Sequence, residues 1–122
     1  MKITGFGPMI ISPKADDIIR LFEELGFEKN HTKSDIEGGQ NINVNLKDAD
    51  GHRLDVASSG YILEDLFSIR INVDNFQEAY DFFLAHGFKN TRGDKVTETS
   101  SSVDAFLVSP SGFAVTLVQH IK

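Results

Sequence analysis

Three asparagines on one side of a strand form the most chemically specific pattern in this chain. In the run Asn41-Ile42-Asn43-Val44-Asn45-Leu46, polar and apolar residues alternate strictly. Ile42, Val44 and Leu46 therefore share one face of a half-buried strand, and the three carboxamides share the other. Asparagine is a poor strand former, so the pattern asks for a reason beyond folding. Carboxamides carry both donors and acceptors, and a few of them among small apolar side chains can orient a small molecule. Alternation along the other strands puts Arg53, Asp55, Ser68, Arg70, Asn72, Asp104, Phe106 and Thr116 on the same side as the amides. Arg70 has two readings: a bidentate hold on a carboxylate or phosphate, or an internal pair with Asp55 or Asp104. Phe106 would offer a stacking surface or pack in a core. The competing account of the whole face is plain wet surface or a subunit interface.

Other chemistries have little support. His31 falls in a polar loop, His52 in a turn, His86 at a helix end and His120 near the end of a strand, and none has a partner at zinc-motif spacing. There is no Gly-x-Ser-x-Gly elbow, and with no cysteine there are no disulfides or thiolate sites. A formal charge of −6 without a basic stripe argues against nucleic acid and suits a neutral or cationic ligand. The composition, 40% hydrophobic and 25% charged, is that of an ordinary globular chain. No apolar run approaches the roughly 20 residues of a membrane span, and Met1-Lys2-Ile3-Thr4-Gly5 does not open a signal peptide, so the expected location is the cytoplasm.

The elements that carry these residues recur. An offset of 61 residues matches Phe22, Gly26 and Phe27 with Phe83, Gly87 and Phe88, and Gly51 with Gly112; it also matches Phe6 with Phe67, Ile10 with Ile71, Glu37 with Glu98 and Leu46 with Leu107. The matches fall at helix ends, turns and strands, as a duplicated unit would leave them. In the first half, an apolar run from Phe6 to Ile11 is followed by Ser12-Pro13, which predicts a helix start with Ser12 as cap. Ile18, Leu21, Phe22 and Leu25 predict its buried stripe, and Gly26 its end. Strands are expected at 28–36, 41–46 and 53–57. In the second half, a strand at 67–73 precedes a helix opened by Asp74 and Gln77 as a capping box, with Phe76, Ala79, Tyr80 and Phe83 buried. Strands at 101–108 and 113–120 follow. Each half reads β-α-β-β-β: module 1–57, a linker 58–61 and module 62–122, in one domain spanning 1–122. About 60 residues make a marginal core, so the halves should depend on each other.

A tandem of such modules resembles the vicinal oxygen chelate superfamily, which includes glyoxalase I, bleomycin resistance proteins, fosfomycin resistance enzymes and extradiol dioxygenases. The resemblance rests on Leu25-Gly26-Phe27 and His86-Gly87-Phe88, and on the hairpins Asp48-Ala49-Asp50-Gly51-His52-Arg53-Leu54-Asp55-Val56 and Ser109-Pro110-Ser111-Gly112-Phe113-Ala114-Val115-Thr116-Leu117. It implies an α+β fold with curved mixed sheets around a concave cleft, helices outside, and a homodimer. In metal-dependent relatives each module supplies a histidine and a glutamate; those positions here are Gly7, Asp55, Ser68 and Thr116. Only Asp55 is a strong ligand, too few for a divalent metal. The resemblance thus implies a metal-independent binder without cofactor that holds a small molecule in the cleft. Asp55 is then left to accept a hydrogen bond from a ligand amine. A metal-dependent lyase, isomerase or dioxygenase with relocated ligands is one alternative, and a non-catalytic interaction module the other.

Overall fold

A computed structural model describes residues 1–36, 41–60, 62–98 and 101–120, and for residues 31–36, 41 and 42 the backbone alone. Along the chain run β1 (Ile3–Ser12), α1 (Ala15–Glu24), β2 (Glu28–Ile36), β3 (Asn41–Lys47), β4 (Arg53–Ser58), β5 (Leu66–Val73), α2 (Phe76–Ala85), β6 (Lys89–Asn90), β7 (Thr97–Glu98), β8 (Ser102–Val108) and β9 (Ala114–His120). They form two compact units. The first is Gly7–Phe67; the second is Ser68–Lys122 together with Met1–Phe6.

In the first unit the strand order is β2-β3-β4-β1, antiparallel apart from the parallel pair β1–β4. In the second it is β5-β9-β8-β6, with β5–β9 parallel and β7 also on β8. Both sheets are mixed. Their registers coincide at the 61-residue offset. Met9–Asp55 and Ile10–Val56 correspond to Arg70–Thr116 and Ile71–Leu117, and Val44–Val56 and Leu46–Leu54 to Ala105–Leu117 and Leu107–Val115.

Each sheet buries one face against its own helix. Val44, Leu46, Leu54 and Val56 pack with Ala15 and Ile19, and Ile10, Ile18, Phe22 and Phe27 close the cluster. In the second unit Ile71, Ala105, Leu107, Val115 and Leu117 pack with Phe76 and Ala79, flanked by Tyr80, Phe83 and Phe88. The α2 stripe is the one its periodicity predicts. The α1 stripe is not: Ala15, Ile18, Ile19 and Phe22 face the sheet, whereas Leu21 and Leu25 are 53% and 66% exposed. The observed stripe lies 61 residues before Phe76, Ala79, Tyr80 and Phe83. The sheet selects the i, i+3, i+4, i+7 row that meets it, and leucine content alone does not decide the choice.

The helix starts also differ from expectation by one or two residues. Ser12 ends β1, fully buried, and its hydroxyl donates to Asp65 Oδ1 (2.6 Å) while accepting the Lys14 N–H (2.9 Å). The α1 N-cap is Lys14, without a side-chain cap bond. For α2 the cap is Asn75, whose Oδ1 accepts the Glu78 N–H at 3.1 Å. Asp74 is used elsewhere, pairing with the backbone of Lys2 through both its N–H and its carboxylate.

Both helices end in the same motif. Gly26 (φ 112°) and Gly87 (φ 91°) take the left-handed conformation that a side chain disfavours. The N–H of Phe27 reaches the carbonyl of Phe22 (3.0 Å), and that of Phe88 reaches Phe83 (3.1 Å), which satisfies the helix-end carbonyls. The bonded residues also meet edge to face, with ring centroids 5.6 Å and 5.0 Å apart. The units part company at their second strand: β2 is nine residues long, but its counterpart is reduced to the two-residue strands β6 and β7.

Candidate functional site

The polar face of the first unit is built from β1, β4 and β3, side by side. Met9 lies opposite Asp55, which lies opposite Asn45; one step along, Ile11, Ala57 and Asn43 form the next row. The Asn45 amide donates to Asp55 Oδ1 at 3.1 Å, and Asn30, at an irregularity in β2, donates to Asn45 Oδ1 at 3.2 Å. A chain of amide dipoles therefore runs towards the Asp55 carboxylate, which polarises and orients it. Asn43 is half-buried. Its Oδ1 is enclosed and has no hydrogen-bond partner among the described residues. Such an acceptor normally costs about 1–3 kcal/mol, and it calls for an explanation. Arg53 is exposed and lies opposite Lys47, away from the Asp55 row. The Asn41 side chain lies outside the described residues.

In the second unit the corresponding face carries Ser68, Arg70 and Asn72 on β5, opposite Ala114, Thr116 and Val118 on β9. Phe106 and Asp104 on β8 lie beyond Thr116 and Val118. The hydroxyls of Ser68 and Thr116 are 2.8 Å apart, and both residues are buried (2% and 7% exposed). Arg70 is half-buried, and its Nε–H donates to Asn72 Oδ1 at 3.1 Å, which sets the plane of the guanidinium. Asp104 and Phe106 are half-buried.

The four positions that the family resemblance marks for metal ligands thus hold Gly7, which has no side chain; Asp55, bonded to Asn45; and the Ser68–Thr116 pair, bonded to each other. This donor set does not fit a divalent cation. Two neutral hydroxyls and one carboxylate fall short of the two or three imidazole or carboxylate ligands that such sites use.

Sequence reasoning missed three features. Asp48, Asp50 and His52 offer ligand atoms within 4.8 Å of one another in the β3–β4 turn. Asp48 is already engaged there. Its Oδ1 accepts the N–H groups of Asp50 (3.0 Å) and His52 (2.8 Å), and its Oδ2 lies 2.7 Å from His52 Nδ1. The hydrogen bond to His52, with help from the two backbone N–H groups, holds the Asp48 carboxyl below its usual range. The second feature is a depression of about 230 Å³ lined by Gly26, Glu28, Lys29, Asn30, Lys47, Asp48 and Ala49, at the end of α1. The third is Asn30, whose role depends on the β2 irregularity and had no sequence signal.

No protein-family model matches the sequence, and no curated protein matches it. Solved structures do. A glyoxalase/bleomycin resistance/dioxygenase superfamily member from Vibrio splendidus 12B01 is 16% identical with TM-score 0.58, and the match covers 97% of this chain and 99% of that one. Methylmalonyl-CoA epimerase from Streptomyces coelicolor is 17% identical with TM-score 0.65, covering 99% and 100%. Glyoxalase I from Zea mays is 16% identical with TM-score 0.68; it is matched by 97% of this chain, which spans 43% of that protein. The chain therefore has the α+β fold of the vicinal oxygen chelate proteins.

Proposed function

We propose that this protein binds a small molecule on the polar faces of its sheets and uses no metal to do so, in the manner of a glyoxalase/bleomycin-resistance-type binder. The observation that carries the reading is the Ser68–Thr116 hydrogen bond, 2.8 Å long and buried. It ties together two positions that a metal-dependent relative would give to ligands. Asp55, held by Asn45, is the single carboxylate among the four positions. On the first unit the asparagine amides with half-buried Ile11, and on the second Arg70 with half-buried Phe106, give each face groups of the kind that orient an organic ligand. A homodimer and an origin by duplication belong to the same proposal. The first is supported by exposed Phe6 and Phe67 (66% and 68%), the second by the coincident registers. A metal-dependent enzyme would have to relocate its ligands, and among the described residues only the turn group Asp48, Asp50 and His52 gathers three donors.

Elemental analysis of purified protein, paired with thermal shifts in Ni, Zn, Mn and Fe(II), tests the reading. The expected result is no stoichiometric metal and no stabilisation, with native mass spectrometry showing a bound small mass or a library compound raising the melting temperature. Stoichiometric metal, or a melting temperature that rises only with a divalent cation, would overturn it.

A further inference from the structure

We infer that Gly5 is a positioning residue for the polar face of the second unit: the side chain it lacks makes room for Asn72, and Asn72 in turn holds the plane of the Arg70 guanidinium. This rests on the ligand-binding reading above and names what sets the geometry of the arginine on one of its faces.

Gly5 lies inside β1, where glycine gives up backbone entropy and offers nothing to pack. A left-handed backbone does not account for it, since the φ of Gly5 is not positive. Space does. The first residues of β1 belong to the second unit, and there a Cβ on Gly5 would lie 3.1 Å from Asn72 Nδ2 and 3.3 Å from its Cβ and Cγ. Contacts that tight would push the carboxamide from its place. Gly7, two residues along the same strand, differs: a Cβ there would meet no atom within 4 Å.

Asn72 is the second poor strand former in this contact, and its side chain has a use. Arg70 and Asn72 are two apart on β5 and share one face of the sheet. The Arg70 Nε–H donates to Asn72 Oδ1 at 3.1 Å. A guanidinium is a rigid planar fork, so a bond at Nε decides how its other N–H groups are turned. Arg70 has a further interaction as well, and that contact and any ligand contact must share the plane that Asn72 fixes. The row concerned is the one that offers Phe106: Arg70 lies opposite Thr116, and Thr116 opposite Phe106. The fold itself does not demand the pair. At the 61-residue offset Arg70 and Asn72 correspond to Met9 and Ile11, and the first unit forms the same pairings without them.

NMR of the full chain tests the inference by reading the Nε–H cross-peak of Arg70 and its hydrogen exchange, with melting temperature alongside. Asn72→Ala, which removes the acceptor without a clash, should shift the cross-peak and speed exchange about fivefold. Gly5→Val should do the same, and Gly5→Ala to a smaller degree, while Gly7→Ala leaves the signal unchanged. The two sites should not add. In the Asn72→Ala background Gly5→Val should leave the signal where it is and raise the melting temperature by about 2–4 °C, because a β-branched side chain then fills vacated space in a strand. With Asn72 present it should lower the melting temperature. A glycine needed only for folding would give a loss in both backgrounds. An Arg70 signal indifferent to Gly5→Val, a Gly7→Ala variant that shifts it equally, or additive effects at positions 5 and 72 would overturn the inference, and none of these readouts needs a ligand. Failure of every library compound to stabilise the wild-type protein would overturn the ligand-binding reading above instead.

Discussion

The two units agree on the sheet face that packs against the helix and disagree on the opposite face. Leu46 and Leu107 are both 0% exposed and occupy the same register position, each facing its own helix. On the other face the same offset pairs Gly7 with Ser68, Met9 with Arg70, Asn43 with Asp104, Asn45 with Phe106, and Asp55 with Thr116. Only Asn43 and Asp104 keep the same side-chain shape, and even they differ in charge. Close packing against a helix penalises any change in volume, whereas the face turned away from the helix has taken on new chemistry, buried at Met9, Ser68 and Thr116 and half-buried elsewhere. The first unit uses that face for a carboxylate with amides, and the second for a guanidinium with a buried hydroxyl pair.

The largest test of this contrast is to cut both cores. Leu46→Ala and Leu107→Ala should each cost about 2–5 kcal/mol in urea unfolding, by similar amounts, because each empties an equally buried site. A small loss at either one would break the equivalence of the cores. The helix-ending glycines sharpen it. Gly26→Ala should cost about 1–2 kcal/mol from the left-handed backbone alone. Gly87→Ala should cost visibly more, since its Cβ would come within 2.9 Å of Pro110 Cγ while that of Gly26 meets nothing.

Much of the frame is legible in the sequence, for local reasons. Gly26-Phe27 and Gly87-Phe88 mark helix ends because the φ requirement and the ring contact both involve residues a few positions apart. The alternation from Asn41 to Leu46 marks β3 because a strand has a fixed period of two. What is less legible depends on partners far along the chain. Ser12 has the composition of a helix cap, but Asp65, 53 residues away, claims its hydroxyl. Leucine content points to Leu21 and Leu25 for the α1 stripe, whereas the 61-residue offset from α2 points to Ala15 and Ile19, which are the buried ones. For the site, alternation placed Asn45, Asp55, Arg70 and Thr116 on polar faces. It could not show that Ser68 and Thr116, 48 residues apart, bond to each other, nor that Asn30 joins Asn45.

A smaller effect is expected at that hydroxyl pair. Ser68→Ala should cost about 1 kcal/mol, and adding Thr116→Val should cost less than the sum of the single changes, because both partners are then removed together. Strict additivity would deny the bond. The smallest contrast lies in the turns. Asp48 accepts N–H groups at the first turn, while Ser109 Oγ accepts those of Gly112 and Phe113 at the second, both at 3.0 Å. Because the folded pKa of Asp48 lies below its ordinary 3.8, its stabilising contribution is present above that value and is lost as pH falls through the folded pKa. Amide resonances of Asp50 and His52, the two N–H groups on the carboxylate, should therefore shift in acid while those of Gly112 and Phe113 hold. Asp48→Ser should abolish the difference.

The most direct measurement is an NMR titration of the metal-free protein, in excess chelator, with a library compound that raises its melting temperature, following the side-chain amides of asparagine. Resonances of Asn43 and Asn45 should move saturably, while Asn90, already bonded to Tyr80 and the Lys95 carbonyl, stays in place. Asparagine shifts that arise only after a divalent cation replaces the chelator would contradict metal-independent binding on this face.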